Sequence, residues 1–172
     1  TPLLEIVSEP ELETSEEAYE YLSHLKALLK AVGVSECDME KGHLRCDANV
    51  SVRKNAADPL GKKVEIKNLN SFKAVRSAIE FEVKRQTEVL EKGEKLVQET
   101  RLWNQAEGKT ESMRSKEEAH DYRYFPDPDL VPLIVDQLWI NKIKETISEL
   151  GETKAKRFVL EYGIPQYDAD VL

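Results

Sequence analysis

An unbroken alternation of apolar and polar residues runs through Arg45-Cys46-Asp47-Ala48-Asn49-Val50-Ser51-Val52-Arg53. A period of two predicts a β-strand that buries one face and leaves the other open. The polar face is unusual, because it sets a carboxylate, an amide and a hydroxyl between two guanidinium groups. The stretch therefore predicts a sheet whose open face suits phosphate and divalent metal better than it suits solubility alone.

A shorter stretch repeats this design in Val64-Glu65-Ile66-Lys67, with a carboxylate beside a lysine. Residues 55–61, between the two stretches, are rich in turn-forming types, so we expect the two strands to be antiparallel neighbours. Three further strands are predicted, at residues 1–7, 96–102 and 110–114, the last two as a hairpin.

Helices are predicted from capping signals and from apolar residues at helical spacing. Thr14 to Glu17 match a capping box that opens one helix, and Ser71 is expected to cap a second, long helix. After residue 137 the helical period continues without a strand signal. The predicted fold class is therefore α+β, a largely antiparallel sheet with helices on one face, then a small helical segment. The predicted domains are residues 1–137 and 138–172.

Composition excludes several classes of protein. The 172 residues are 40% apolar and 34% charged, and the formal net charge is −8. No apolar run is long enough to span a bilayer, and the acidic balance argues against a globally basic nucleic-acid surface, so neither membrane nor DNA is an expected partner. Two cysteines are too few for a disulfide framework, which favours a reducing, cytoplasmic compartment. Without an initial Met or a signal-peptide pattern, the chain is expected to be an internal fragment.

Asp47 and Glu65 are candidate metal ligands, because Mg²⁺ prefers hard oxygen donors. Asp is depleted in strands, and small neighbours on each side of Asp47 leave room for a bound group. The alternative is that both are surface carboxylates in salt bridges with Arg45 or Lys67. Lys67 either offsets charge on a phosphate or forms a cross-strand ion pair. Glu5 joins the same face if its segment is a strand of the sheet.

Three other patterns have a functional and a structural interpretation. Glu99 and Arg101 repeat the alternation of acid and base, with the same two interpretations. Residues 113–126 interleave bases and aromatic side chains, which suits either a bound nucleotide or packing over the core. A zinc site that includes His43 and Cys46 is rejected, because the two side chains have opposite parity on the strand.

Several longer motifs occur in order along the chain. They are Thr1-Pro2-Leu3-Leu4-Glu5-Ile6-Val7-Ser8-Glu9-Pro10, Leu44 to Arg53, Glu65-Ile66-Lys67-Asn68-Leu69-Asn70-Ser71-Phe72, Gln98-Glu99-Thr100-Arg101 and Asp121-Tyr122-Arg123-Tyr124-Phe125-Pro126-Asp127-Pro128-Asp129-Leu130. Together they resemble the B subunits of tRNA-dependent amidotransferases, the GatB/GatE family, which act on Glu-tRNA(Gln) and Asp-tRNA(Asn). The resemblance runs to the end of the chain, through Arg157-Phe158-Val159 and Glu161-Tyr162-Gly163.

The resemblance implies a glutamine-synthetase-like catalytic domain followed by a helical domain. It implies that ATP phosphorylates the side-chain carboxylate of a mischarged aminoacyl group, and that ammonia then displaces the phosphate to leave an amide. The implied cofactors are ATP and Mg²⁺. The implied partners are mischarged tRNA, an amidase (glutaminase) A subunit that supplies ammonia, and a small C subunit.

The resemblance also implies roles for individual residues. The expected metal ligands are Glu5, Asp47 and Glu65, and the expected catalytic residues are Asp47, Glu65 and Lys67. Side chains expected to bind the cofactor are Arg45, Asn49, Glu99, Arg101 and Arg123. The alternative function is a non-catalytic tRNA-binding or scaffold module. Because segments of the family on both sides are missing, we expect the fragment alone to be inactive.

Overall fold

A computed structural model describes residues 3–113 and 128–172 of the chain. Contacts divide the described residues into two units. The first holds residues 3–26 and 35–113, and the second holds residues 27–34 and 128–172. The domain division predicted between residues 137 and 138 stays a prediction.

Nine helices and strands are found in the described residues. In chain order they are α1 (Ser15–Ala31), β1 (Ala48–Val50), β2 (Val64–Lys67), α2 (Phe72–Glu91), β3 (Thr100–Asn104), β4 (Lys109–Ser112), α3 (Gln137–Lys144), α4 (Gly151–Tyr162) and α5 (Gln166–Val171). The α+β class predicted from the strand and helix patterns of the sequence is therefore confirmed.

The four strands form one sheet in the order β1-β2-β3-β4. Strand β1 is antiparallel to β2, with Asn49 opposite Glu65, and β3 is antiparallel to β4. The central pair is parallel, with Glu65 opposite Thr100. The sheet, predicted to be largely antiparallel, is thus mixed, with two antiparallel pairs and one parallel pair. The parallel pair forms because α2 lies between β2 and β3 in the chain and provides the long connection that parallel neighbours need.

One face of the sheet is covered by helices, as predicted. Val50, Ile66 and Trp103 point from three strands into an apolar cluster with residues of α1 and α2. The helical members of the cluster are Leu22, Ala74, Val75 and Ala78. Ile66 and Ala78 are fully buried. The opposite face of the sheet is left for polar side chains.

Both predicted helix starts are confirmed by their hydrogen bonds. The Thr14 hydroxyl accepts from the Glu17 N–H at 3.1 Å, and the Glu17 carboxylate accepts from the Thr14 N–H at 3.1 Å, which forms a capping box. Ser71 caps α2, where its hydroxyl accepts from the Ala74 N–H at 3.0 Å.

The strand predicted at residues 1–7 is wrong for the part that the structure describes. Residues 3–8 form neither helix nor strand, and the apolar side chains of Leu4 and Ile6 are 67% and 45% exposed. Apolar spacing makes a strand only when a neighbouring strand supplies hydrogen bonds, and no strand of the described residues pairs with this segment. Strand β3 also begins later than predicted, at Thr100.

The second unit is helical, as predicted for the chain after residue 137. Helix α4 ends at Gly163, whose φ of 65° lies in the left-handed region that glycine adopts without strain. Helix α3 ends at Lys144, and α4 begins at Gly151. No helix of the described residues is long and apolar enough to cross a bilayer.

Candidate functional site

The open face of the sheet brings three of the predicted residues together. The Lys67 ammonium lies 2.7 Å from Oδ2 of Asp47 and 3.2 Å from Oε1 of Glu65. Glu65 and Lys67 are alternate residues of β2 and so share a face. Asp47 directly precedes β1, the strand that pairs with β2. All three side chains are between 35% and 48% exposed. The predicted acid and lysine floor is therefore formed at these three positions, which we call the Lys67 cluster.

The Lys67 cluster holds its lysine firmly in the charged form. Partial burial acts to lower the pKa of Lys67, but the hydrogen bonds and negative charges of Asp47 and Glu65 outweigh it and raise that pKa above its ordinary value. A lysine with a raised pKa is a poor proton acceptor at neutral pH. Its arrangement instead suits the stabilisation of negative charge on a bound phosphate.

Thr100 is a residue of this site that sequence reasoning did not single out. Its hydroxyl donates to Oε2 of Glu65 at 2.8 Å, across the parallel pair β2 and β3. Since Lys67 contacts the other oxygen of Glu65, the two carboxylate oxygens are held by different groups. The sequence shows a hydroxyl residue in a predicted strand. That its hydroxyl bonds Glu65 depends on the register of β2 and β3, which are far apart in the chain.

Glu99 and Arg101 do not join the Lys67 cluster. Arg101 lies opposite Ile66 in the register, so it shares the helix-covered face of the sheet, and its guanidinium Nη1 is 2.7 Å from Oε1 of Glu99. Burial tends to raise the pKa of Glu99, but hydrogen bonds from Ser112 and Arg101 hold it below its ordinary value. A cofactor-binding role for Glu99 and Arg101 stays a prediction.

A buried carboxylate lies beneath this pair. Glu82 on α2 is fully buried and accepts hydrogen bonds from Arg85 Nε at 3.0 Å, Gln86 Nε2 at 3.0 Å and the Thr110 hydroxyl at 2.9 Å. Thr110 in turn accepts from Arg101 Nε at 2.8 Å. The charge of Glu82 is therefore compensated on several sides, as a buried ion requires. Sequence reasoning missed it, because a glutamate in a helix is usually exposed.

The other predicted site residues are not members of the Lys67 cluster. Arg45 and Asn49 are exposed on the alternating stretch, and Arg45 forms no ion pair with a carboxylate of the described residues. Glu5 lies in the segment before α1 that is not part of the sheet, so the strand that was to carry it to the open face is not formed. Arg123 lies outside the described residues.

The carboxylates of the Lys67 cluster fit Mg²⁺ only if a phosphate ligand and water supply the remaining oxygen donors. Within residues 3–113 and 128–172, no group of three His, Cys, Asp or Glu side chains is placed to hold a metal ion. Asp47 and Glu65, which both contact the Lys67 ammonium, supply two carboxylate groups with hard oxygen atoms. Mg²⁺ commonly takes one or two carboxylates together with phosphate and water. The predicted set of Glu5, Asp47 and Glu65 as metal ligands stays a prediction.

Cysteine chemistry is disfavoured next to the site. Burial, and to a smaller degree the charge of Asp47, raises the pKa of Cys46 to about 11. The thiol is therefore protonated at neutral pH, and neither the nucleophilic nor the metal-binding thiolate form is populated.

Comparison with known proteins identifies the family to which the chain belongs. The family model for the GatB/GatE catalytic domain matches residues 1–141. The chain therefore belongs to the GatB/GatE family.

The chain is also similar to particular members of that family over nearly its whole length. It is 58% identical to the B subunit of the aspartyl/glutamyl-tRNA(Asn/Gln) amidotransferase from Caldanaerobacter subterraneus subsp. tengcongensis over 171 residues, which is 99% of this chain and 36% of the relative. Subunits of the same name from Thermodesulfovibrio yellowstonii and Clostridium novyi are 56% and 55% identical, with the same coverage. The chain thus spans about a third of the length of these relatives.

Proposed function

We propose that the chain is part of the B subunit of an ATP-dependent tRNA amidotransferase that converts mischarged Glu-tRNA(Gln) or Asp-tRNA(Asn) to the amide. The observation that carries the proposal is the Lys67 cluster, two carboxylates on one charged lysine, within a domain of the GatB/GatE family. The names of the relatives support the same reaction class. We further infer a glutamine-synthetase-like core for the complete catalytic domain.

The proposed reaction has two steps. A side-chain carboxylate oxygen of the aminoacyl group bonds to the γ-phosphorus of ATP, and the bond from that phosphorus to the β,γ-bridging oxygen breaks, which releases ADP. The nitrogen of ammonia then bonds to the activated carbonyl carbon, the carbon–oxygen bond to phosphate breaks, and a proton leaves the nitrogen. The products are an amide, ADP and phosphate, so atoms and charges balance.

The residues of the open face have distinct roles in this proposal. Lys67 offsets negative charge on the transferring phosphoryl group, since its raised pKa keeps it cationic. Asp47 and Glu65 would hold Mg²⁺, which when bound neutralises phosphate charge. Thr100 keeps the Glu65 carboxylate in one orientation through its hydrogen bond of 2.8 Å.

We also propose the assembly in which the reaction occurs. Ammonia would come from a separate amidase (glutaminase) A subunit, and a small C subunit would complete a heterotrimer that binds mischarged tRNA in the cytoplasm. The 172-residue chain alone is expected to be inactive, because it covers about a third of its relatives. Amidation by the isolated chain would refute that expectation.

The decisive experiment replaces the two carboxylates in the complete complex. Asp47→Asn and Glu65→Gln keep the size of each side chain and remove its charge. We expect amidation of Glu-tRNA(Gln) to fall by about 10²- to 10³-fold, as for loss of a group that stabilises transition-state charge, with tRNA affinity and thermal stability retained. Loss of tRNA affinity alone would favour a tRNA-binding module, and no effect on either would favour a scaffold.

A further inference from the structure

A cleft of about 380 Å³ lies between the beginning of α2 and the hairpin of β3 and β4. It is lined by residues of both elements, namely Lys73, Ala74, Ser77, Trp103, Gln105 and Gly108. Trp103 points from β3 into the apolar cluster beneath the helices, so the cleft belongs to the helix-covered side of the sheet. The Lys67 cluster lies on the open face, and the proposed reaction therefore does not account for this cleft.

The indole N–H of Trp103 lacks a hydrogen-bond acceptor. Trp103 is 4% exposed, and its Nε1 atom is buried without a partner among the described residues. Buried polar groups are nearly always hydrogen-bonded, because an unpaired one has lost its contact with water and gained nothing in return. An indole N–H can only donate, so the missing partner must be an acceptor. Since Trp103 lines the cleft, an acceptor that enters the cleft would supply that partner.

Trp103 is held in place before any ligand binds. The side chain of Asn68, in the turn before α2, donates from Nδ2 to the carbonyl oxygen of Trp103 at 3.0 Å. The ring of Phe81 packs edge-on against the indole, with 6.3 Å between ring centroids. A donor that is already oriented loses little conformational freedom when its acceptor arrives.

The cleft also favours negative charge. Lys73 is exposed and has no carboxylate within 4.0 Å among the described residues. The first turn of α2 contains no acidic residue, although the N-terminus of a helix stabilises negative charge. The side chains of Ser77 and Gln105 form no hydrogen bond with any described residue, so they can donate as well. The expected ligand is therefore an anion that accepts hydrogen bonds.

A single carboxylate carried by a protein fits this cleft better than RNA or a free small molecule. RNA brings a phosphate at every nucleotide, and the adjoining hairpin carries Glu107 and Glu111, whose charges would repel it. Lys73, Gln105 and Gly108 are exposed, so the rim is open and would not enclose a free ligand as small-molecule pockets do. An open rim above one buried donor is suited to an anchoring side chain from a protein partner.

We propose that this cleft receives an Asp or Glu side chain of a partner subunit, whose carboxylate accepts from the Trp103 N–H and pairs with Lys73. The cleft is then part of the surface through which the chain contacts the A and C subunits. The inference rests on the proposed function for the existence of those subunits. It adds to that function a contact on the side of the sheet opposite the reaction.

The test measures the dissociation constant of the complete B subunit for the purified A and C subunits at several salt concentrations. Lys73→Met removes the charge, and Trp103→Phe removes the N–H and keeps an aromatic ring. Lys92→Met is the matched control, because Lys92 lies at the other end of α2, is exposed and lacks a carboxylate partner among the described residues. Melting temperatures of the free B subunits establish that each variant is folded.

We expect each of Lys73→Met and Trp103→Phe to weaken binding of the A and C subunits by about tenfold, as for loss of a bond to a charged group. The double variant should lose less than the product of the two single losses, because both groups hold the same carboxylate. Raised salt should weaken the wild type more than Lys73→Met. The Lys92→Met control, and the tRNA affinity of every assembled complex, should stay within about twofold of wild type.

Several results would overturn the assignment. Unchanged affinity for the A and C subunits in either single variant would do so, as would losses that simply multiply in the double variant. Lost tRNA affinity with intact subunit affinity would assign the cleft to RNA instead. A lower melting temperature of free Lys73→Met with intact subunit affinity would place the carboxylate within the B subunit itself.

This design separates the cleft from the proposed function. If the wild-type complex amidates tRNA and both variants bind the A and C subunits normally, the cleft assignment fails and the function stands. If the wild-type complex assembles without amidating and both variants lose subunit affinity, the function fails and the assignment stands.

Discussion

The Thr100 hydroxyl donates a hydrogen bond of 2.8 Å to Oε2 of Glu65 across the parallel strands β2 and β3. The other carboxylate oxygen, Oε1, lies 3.2 Å from Nζ of Lys67. Two residues from different strands thereby restrict rotation of one carboxylate. Such restraint has functional value where a carboxylate must meet a metal ion or a phosphate in one orientation.

Thr100→Val removes the hydroxyl and keeps the branched shape of the side chain. We expect kcat for amidation by the complete complex to fall about tenfold, as for loss of a hydrogen bond to a charged group. Thr100→Ser keeps a donor and should remain near the wild-type rate. Equal rates for the valine and serine variants would contradict a positioning role for the hydroxyl.

Lys67→Met removes the cation of the Lys67 cluster and leaves Asp47 and Glu65 without it. We expect amidation to fall by about 10²- to 10³-fold, because charge on the transferring phosphoryl group loses a fixed cation. Lys109→Met is the matched control, since Lys109 is also a strand lysine paired with carboxylates. Single-turnover phosphoryl transfer measures the effect, and a wild-type rate for Lys67→Met would remove Lys67 from the mechanism.

Glu82→Ala tests the buried network behind the sheet. The change leaves Arg85 and Arg101 facing a space without the carboxylate, so we expect the free energy of unfolding to fall by about 3 kcal/mol. Glu80→Ala, on the same helix but with a side chain that is 59% exposed, should change it by less than about 0.5 kcal/mol. Urea unfolding of the subunit compares the two variants, and similar losses for both would show that the burial of Glu82 carries no special energy.

The lowered pKa of Glu99 predicts that the free energy of unfolding depends on pH. Its pKa in the folded protein is held below the ordinary value of 4.5, so its stabilising contribution is complete above that pH and is lost as pH falls through the folded pKa. The difference in unfolding free energy between wild type and Glu99→Gln should therefore be largest at neutral pH and shrink below about pH 4.5. Urea unfolding at a series of pH values measures it. A difference that stays constant down to about pH 3 would contradict the assignment of the lowered pKa to Glu99.

Local patterns predicted much of the fold correctly. The alternation around Asp47 places Val50 in the core and Asn49 in solvent, and the capping signals at Thr14 and Ser71 mark the true starts of α1 and α2. Alternation and capping are decided by residues two to four positions apart, so they can be recognised in the chain itself. The same local reasoning predicted a strand at residues 1–7 that residues 3–7, the part the structure describes, do not form.

Other features depended on partners that lie far away in the chain. On α2, the apolar Val83 is 40% exposed, while the polar Glu82 and Gln86 are fully buried. The side chain of Gln86 donates to the carbonyl oxygen of Val50 at 3.0 Å, a partner 36 residues away. Polar residues become suitable for a core only when such partners are present, and periodicity does not reveal them.

The sequence by itself determined that a strand with Asn49 on its polar face follows Asp47, and that a second strand carries Glu65 and Lys67 on one face, because side-chain direction in a strand follows from position alone. Tertiary structure alone decided that these groups meet: Lys67 contacts both carboxylates, Thr100 holds Glu65 through a parallel pairing, and Arg101 turns to the helix-covered face. The reason is that strand order and register are set by packing between distant segments, where a shift of one residue would move every side chain to the other face.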